Sequence, residues 1–269
     1  MIPKITIIVL NWNRSNDTIN CLKSLEAVND ENFKILLVDN NSKIDSVKNI
    51  LLKFPNINLL QLDKNYGYSG GNNRGFEHIS NDTEFICFLN NDVIVDPNFL
   101  SNFRNGIKQF GENYIFGPKI YFEYPSERIW YGGGVVNLQK GQIYHKYIGQ
   151  KDNNHNSKNC KTEYVTGCCL LISKNNFKLL NGFDESFNMY AEDVDLCLRA
   201  DKLNIKCKYI PNSKIWHKVS ASTGGRFSIQ KYIKKISSIQ KLVKIHNSEL
   251  NPLLITLKSI YNSIFHSEK

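Results

Sequence analysis

Hydrophobic residues come in short blocks along this chain, and the blocks alternate between two periods. Ile5 to Leu10 is an unbroken, β-branched apolar run, the mark of a strand buried on both faces. Thr18, Cys21, Leu22 and Leu25 then recur at helical spacing, with Ser15 placed as the N-cap. Phe33 to Val38 repeats the strand pattern, Val47, Ile50, Leu51 and Phe54 the helical one, and Ile57 to Leu62 gives a third strand. Residues 65–75 read as a Gly/Asn loop running into a helix through His78, and Phe85 to Leu89 as a fourth buried strand. Strand and helix alternating at this spacing predict a parallel sheet with right-handed crossovers.

Each of these strands ends in polar side chains: Asn11, Asp39, the 65–75 loop, and Asn90-Asn91-Asp92. In a parallel α/β sheet such ends gather on one edge, where ligands bind. Asp92 is thereby the first candidate for handling a metal or a phosphate. Taken alone, the Asn-Asn-Asp cluster is equally well a turn, because both residue types favour turns. No GxGxxG follows the first strand and no GxxxxGK[ST] loop occurs, so phosphate must be held in another way.

Past residue 97 the pattern changes. Helical sequence at 97–110 gives way to short strands and the Gly-rich turn from Tyr131 to Gly134. Residues 150–160 are polar and read as a mobile loop; Val165 to Ser173 reads as a strand, and 205–217 as another ending in Ile215-Trp216-His217. Val194 and Leu198 suit a helix starting near Glu192, with Glu192, Asp193 and Asp195 in its first turn, where the helix dipole favours negative charge. From Arg226 onward the chain is a basic amphipathic segment. Ile229, Tyr232, Ile233, Ile236, Ile239 and Val243 share one face, and Lys231, Lys234, Lys235, Lys241 and Lys244 the other. Such a segment is either a helix docked on the domain or an interfacial helix on anionic lipid. The division expected is a domain at 1–225, made of halves 1–96 and 97–225, followed by a helical tail at 226–269.

Composition narrows the partners. The 269 residues are 41% hydrophobic, enough for a core and too apolar for global disorder. A net charge of +9 suits an anionic partner such as a nucleotide or a lipid surface. No recognisable nucleic-acid module accompanies that charge, so a nucleic-acid role is not expected. The seven cysteines form no CxxC pair and read as reduced, buried thiols rather than a metal ribbon. No signal-peptide pattern opens the chain, and no apolar run approaches the roughly 20 residues of a membrane span. The expectation is a cytoplasmic protein, either soluble or peripheral at the inner face of a membrane.

Eight short motifs occur in an order that resembles family 2 glycosyltransferases, in particular the rhamnosyltransferase-like enzymes of bacterial surface polysaccharide assembly. They are the first strand with Asn11-Trp12-Asn13, Val38-Asp39-Asn40-Asn41-Ser42, Asn65-x-Gly67-x-x-x-Gly71-Asn72-Asn73-x-Gly75, Leu89-Asn90-Asn91-Asp92, Thr166-Gly167, Gly182-Phe183-Asp184-Glu185, Glu192-Asp193-Val194-Asp195-Leu196, and Trp216-His217. The resemblance covers about residues 4–220. It implies a GT-A fold and inverting transfer from a nucleoside-diphosphate sugar, dTDP- or UDP-linked, to a saccharide or lipid-linked acceptor.

By resemblance, Asp39 bonds the pyrimidine ring with Asn11 alongside. Asn65 and a turn of Gly71, Asn72, Asn73 and Arg74 complete the nucleotide wall, with Asn90 and Asn91 also nucleotide-binding and Asn90 able to bond a ribose hydroxyl. Asp92 resembles the last acid of the DxD motif, which ligates Mg²⁺ or Mn²⁺, and His217 a further ligand. Glu192 and Asp193 form the catalytic acidic motif, with Asp193 as general base. Asn90 and Asn91 stand where acids are often found, a departure that leaves one carboxylate for the cation. Asp39, at a strand end, is expected to serve the ligand rather than the fold.

The chemistry asks for these parts. A departing diphosphate needs its charge stabilised, which a divalent cation does. An attacking hydroxyl needs a base, worth roughly 10²–10⁴-fold. Like charge from Glu192 and Asp195 is expected to raise the pKa of Asp193. Two alternatives stay open at this stage: transfer to a polyprenyl phosphate, which needs no base, and a nucleotide-sugar binding protein without turnover.

Overall fold

The structure is a computed structural model describing residues 2–140, 142–153, 160–187, 190–219, 229–247, 251 and 254, without the side chains of 160 and 229–235. Arg226, the tail beyond 254, residues 154–159 of the polar stretch, and the Lys231, Lys234 and Lys235 side chains lie outside the described residues.

The chain runs β1 (Ile5–Asn11), α1 (Ser15–Glu26), β2 (Phe33–Asp39), α2 (Ile44–Leu51), β3 (Asn58–Gln61), α3 (Gly67–Glu77) and β4 (Phe85–Asn90). There follow β5 (Val93–Val95), α4 (Phe99–Phe110), β6 (Tyr114–Phe122), β7 (Ile129–Tyr131), β8 (Gly134–Asn137), β9 (Gln142–His145) and β10 (Cys160–Thr162). The last elements are β11 (Cys169–Ser173), α5 (Lys174–Leu179), α6 (Glu192–Lys202), β12 (Lys206–His217) and α7 (Ile229–His246). The main sheet has the order β10-β12-β6-β11-β4-β1-β2-β3. β3, β2, β1 and β4 are parallel, and β12 runs parallel to β6. β11 is antiparallel to both β4 and β6, and β10, β5 and β7 pair antiparallel at the margins, so the core of the sheet is parallel with β11 reversed at its centre.

Both faces of the sheet are covered, which explains the unbroken apolar runs. Ile5, Ile7 and Val9 of β1 and Phe85, Cys87 and Leu89 of β4 point into one core with Cys21, Leu22 and Leu25 of α1 and Phe99 and Phe103 of α4. The alternate residues Ile8, Ile86 and Phe88 point into a second core with Phe177 of α5, Val194 and Leu196 of α6, and Leu242 of α7. A period of two along each strand thus feeds two cores.

Three local expectations are corrected. Ser15 is the first residue of α1 and not its cap: Arg14 holds the cap position, with no side-chain cap bond. The Gly/Asn stretch is not a loop, because α3 begins at Gly67 and the glycines lie inside it. They are there for close packing on the sheet. A Cβ on Gly71 would lie 2.6 Å from Leu10 Cδ1, and one on Gly75 would lie 2.9 Å from Val38 Cγ2 and 3.0 Å from Ile8 Cγ2. The strand foreseen at Val165 to Ser173 begins only at Cys169, since Thr166 and Gly167 are occupied at the site below.

The described part of α7 is docked on the domain. Leu242 and Val243 are fully buried, and Ile239 and Val243 pack against Leu138 and Ile143. Burying such side chains is worth roughly 1.5–3 kcal/mol each, so this stretch of the apolar stripe is spent on the protein. No helix among the described residues is long and apolar enough to cross a membrane.

Candidate active site

Register places the strand ends side by side. Asn11 pairs with Asp39 across β1 and β2, and Leu10 with Asn90 across β1 and β4. The carboxyl edge therefore presents Asn11, Asp39 and Asn90 in a row. Just beyond it, Asn90 N–H donates to Cys168 O at 2.9 Å, which brings Thr166 and Gly167 to the same edge.

The nucleotide candidates fall into two tight networks. Asn11 is fully buried and Asp39 is 2% exposed. Asn11 Nδ2 donates to Asp39 Oδ1 at 2.8 Å and to Ser42 Oγ at 3.1 Å, while Asp39 Oδ2 accepts the Ser42 N–H at 3.0 Å. Asp39 therefore supports the fold as well as the edge, contrary to the expectation from its strand-end position. Thr18 Oγ1 donates to Asn11 Oδ1 at 2.8 Å, and Asn91 Nδ2 donates to Thr18 Oγ1 at 2.9 Å. Asn91 thus braces the end of β1 against α1. In the second network Asn40 Nδ2 donates to Asn65 Oδ1 and to Gly67 O, both at 2.9 Å, and Asn40 Oδ1 accepts the Tyr66 N–H. Asn65 accepts the Gly67 N–H at 2.8 Å, fixing the start of α3.

Within α3 the predicted wall residues are engaged by the Gly-Phe-Asp-Glu segment. Asn73 Nδ2 donates to Phe183 O at 2.9 Å and Asn73 Oδ1 accepts the Phe183 N–H at 2.9 Å. Arg74 pairs with Glu185 at 3.0 Å and stacks on the Tyr66 ring, 3.4 Å from its centroid. Asn72 Nδ2 donates to Tyr68 O at 3.0 Å. These contacts join α3 to the second half of the chain.

Asp92 and His217 lie at one place although 125 positions separate them (217 − 92). β5 turns back from β4 and pairs with β12, Val93 opposite His217. His217 Nε2 is 3.3 Å from Asp92 Oδ1. Asp92 Oδ1 and His217 Nδ1 are both buried without a hydrogen-bond partner. Among the described residues no group of three or more His, Cys, Asp or Glu side chains is placed to hold a metal ion. A cavity of about 210 Å³ opens beside Asp92, lined also by Asp17, Asn20, Glu123, Tyr124, Trp216 and Lys218.

The acidic motif occupies the first turn of α6. Asp193 Oδ2 accepts the Gly167 N–H at 2.8 Å, and its Oδ1 accepts the Val194 N–H at 2.8 Å. Burial raises the Asp193 pKa, against those hydrogen bonds, which lower it. Glu192 is pushed up to about 8, by burial first and then by the charge of Asp193. Its Oε2 is buried without a partner. Asp195 turns away: its oxygens go to Arg199 and His246, which outweigh its burial and hold its carboxyl below the usual value. The raised Asp193 value therefore owes more to burial than to the like charge foreseen, and Asp195 takes no part in it.

Sequence reasoning missed Tyr68. Its hydroxyl donates to Gly167 O at 2.6 Å, and a Cβ on Gly167 would lie 2.8 Å from the Tyr68 hydroxyl oxygen. Gly167 is pinned between Tyr68 and Asp193, an arrangement visible only once residues 99 positions apart meet.

The sequence profile described as Glycosyl transferase family 2 matches residues 6–180. The chain belongs to that family. It is 25% identical over 227 residues to the N-acetylglucosaminyl-diphospho-decaprenol L-rhamnosyltransferase of Mycobacterium tuberculosis, covering 76% of this chain and 72% of that protein. It is 23% identical over 215 residues to the rhamnosyltransferase WbbL of Escherichia coli, covering 76% and 80%. Among solved structures, GalNAc-T7 with UDP, GalNAc and Mn²⁺ superposes with a TM-score of 0.72 at 12% identity, over 91% of this chain and 48% of that one. The fold is therefore GT-A, and the family's activity is glycosyl transfer.

Proposed function

We propose that this glycosyltransferase inverts: a hydroxyl of a saccharide or lipid-linked acceptor attacks the anomeric carbon of a dTDP- or UDP-linked sugar, rhamnose being the first candidate. The observation that carries the reading is Asp193, a carboxylate with a raised pKa, held by two backbone N–H groups beside the strand edge that carries Asp92. The Asp193 side chain is only partly buried at the strand edge, so a substrate hydroxyl can reach it by displacing one of the weaker bonds, such as that from the Thr166 side chain. In the step, the acceptor oxygen bonds to the anomeric carbon, the bond from that carbon to the diphosphate oxygen breaks, and the hydroxyl proton passes to Asp193. Glu192, kept protonated near neutrality, leaves Asp193 as the single charge of the pair. A base tuned toward the working pH is the efficient one.

The donor's pyrimidine would meet the Asn11–Asp39 edge, and its ribose Asn90. Asp92 and His217 fit a divalent cation. Cis ligands of an octahedral ion at about 2.1 Å lie about 3 Å apart, and the Asp92 and His217 donor atoms are 3.3 Å apart. One carboxylate and one imidazole leave the remaining positions to diphosphate and water, and the imidazole suits Mn²⁺ better than Mg²⁺. A bound cation would supply neutralisation of the departing diphosphate.

The test is a panel of donors, dTDP-rhamnose and UDP-N-acetylglucosamine first, with a short-chain N-acetylglucosaminyl-diphospho-lipid as acceptor. Asp193→Asn is expected to lose roughly 10²–10⁴-fold in turnover with donor affinity unchanged. Full activity in that variant would instead mark an acceptor that is already an anion, and binding without any turnover would mark a nucleotide-sugar binding protein.

A further inference from the structure

We propose that His246 of α7 is a positioning residue for the acidic pair at the head of α6; this rests on the reading of Asp193 as the base. The first turn of α6 follows unusual backbone. Tyr190 and Ala191 both have positive φ, 72° and 68°, and non-glycine residues keep that conformation only where the surroundings over-determine it. Glu192 and Asp193 come directly after. Whatever holds this turn therefore sets where the two carboxylates stand.

Asp195, in the same turn, is the holding point. It is 1% exposed, and a carboxylate that deep must be paired. Arg199 Nε donates to Oδ2 at 2.8 Å, and Arg199 also bonds Leu180 O and Gly182 O. That half of the clamp comes from α6 itself and the segment before it. The other half comes from far along the chain: His246 Nε2–H donates to Oδ1 at 2.8 Å, its side chain 3% exposed. His246 ends α7, which Leu242, Val243 and Ile239 seat in the domain. The docked C-terminal helix is thus tied by one buried bond to the turn that carries Asp193. Without His246, Asp195 Oδ1 is orphaned and its reorientation moves the turn relative to the Gly167 N–H. Displacement of about 1 Å at a reacting group costs up to about 10²-fold.

The substrate-free measurement is amide hydrogen exchange across 190–198 in the full chain. His246→Ala is expected to speed it at least about tenfold with exchange in β1 and β4 unchanged; unchanged exchange in α6 overturns the proposal. The kinetic measurement uses the donor–acceptor pair that the wild type turns over. His246→Ala should lower kcat about 10- to 100-fold with donor Kd unchanged. His246→Gln, whose amide still reaches Asp195, should recover most of the loss, and the shorter His246→Asn should not. In an Asp193→Asn background His246→Ala should add nothing, because both act at one group. A loss of the same size in that background makes α7 a general structural support and overturns the proposal. If Asp193→Asn alone keeps full turnover, the base assignment fails, while the exchange result still reports on the clamp. Should His246→Ala not fold, the Gln–Asn comparison carries the same decision.

Discussion

Glu192→Gln gives the most quantitative test of the acidic pair. The substitution keeps the shape and makes the group neutral at every pH. In the folded protein Glu192 titrates at about 8 against an ordinary 4.5, so between those values the folded state binds more protons than the unfolded one. Stability must then fall as pH rises through that window: the contribution is intact below about 4.5 and is lost through about 8. With about 1.4 kcal/mol per pH unit, the cost of this one group is roughly 2 kcal/mol at pH 6 and roughly 4 kcal/mol at pH 8. Asp193, also raised, adds a slope of the same sign in both proteins, so the difference between wild type and Glu192→Gln reports Glu192 together with its interaction with the Asp193 charge. The assay is urea unfolding at pH 5, 6, 7 and 8, read as the midpoint at constant m. The expected result is a variant that gains steadily on the wild type from pH 5 to pH 8. Parallel pH profiles for the two proteins would refute the claim that Glu192 is buried and protonated at neutrality.

Asp92→Ala is expected to abolish metal-stimulated transfer and the Mn²⁺-dependent rise in nucleotide affinity, measured by calorimetric titration with UDP and dTDP; full activity in chelator would remove the cation from the account. Asp39→Ala should weaken nucleotide binding and also cost about 1–3 kcal/mol of stability, since it strips partners from Asn11 and from the Ser42 N–H; unchanged unfolding would contradict the network. Gly75→Ala gains about 1 kcal/mol of helix propensity but pushes a methyl against the stiff, buried Val38 and Ile8, at about 1–3 kcal/mol; a net loss in thermal unfolding is expected, and a stabilised variant would refute the close packing. Co-sedimentation with vesicles should depend on anionic lipid and vanish in high salt, because Ile239, Leu242 and Val243 are already used against the domain; binding to neutral vesicles would contradict that docking.

The two-period pattern is enough to find the first four strands and the helices α1 and α2, because each strand is buried on both faces and each of these helices on one. It failed at α3, where glycine and asparagine dominate for reasons of contact. Gly71 and Gly75 give up helix propensity so that the helix can approach Leu10, Val38 and Ile8, and a single-residue propensity argument reads that as a loop. Polar strand ends pointed to Asn11, Asp39 and Asp92 because a parallel sheet lines up its carboxyl ends. What they could not give was direction: Asn91 faces inward to Thr18, and Asp195 faces Arg199 and His246 instead of the site. Tyr68, Gly167 and Asp193 meet through β11, the one reversed strand among the central ones, and no local spacing encodes that meeting. The partnership of Asp92 with His217 was read from resemblance, and the β5–β12 ladder is its physical cause.

The proposed chemistry requires direct displacement, with one base, Asp193, on the acceptor side. Proton NMR of the anomeric signal during turnover tests it most directly. With a donor of known anomeric configuration, such as dTDP-β-L-rhamnose, the first product formed should carry the opposite configuration from the earliest time point. Formation of a product with the donor's own configuration would contradict the account.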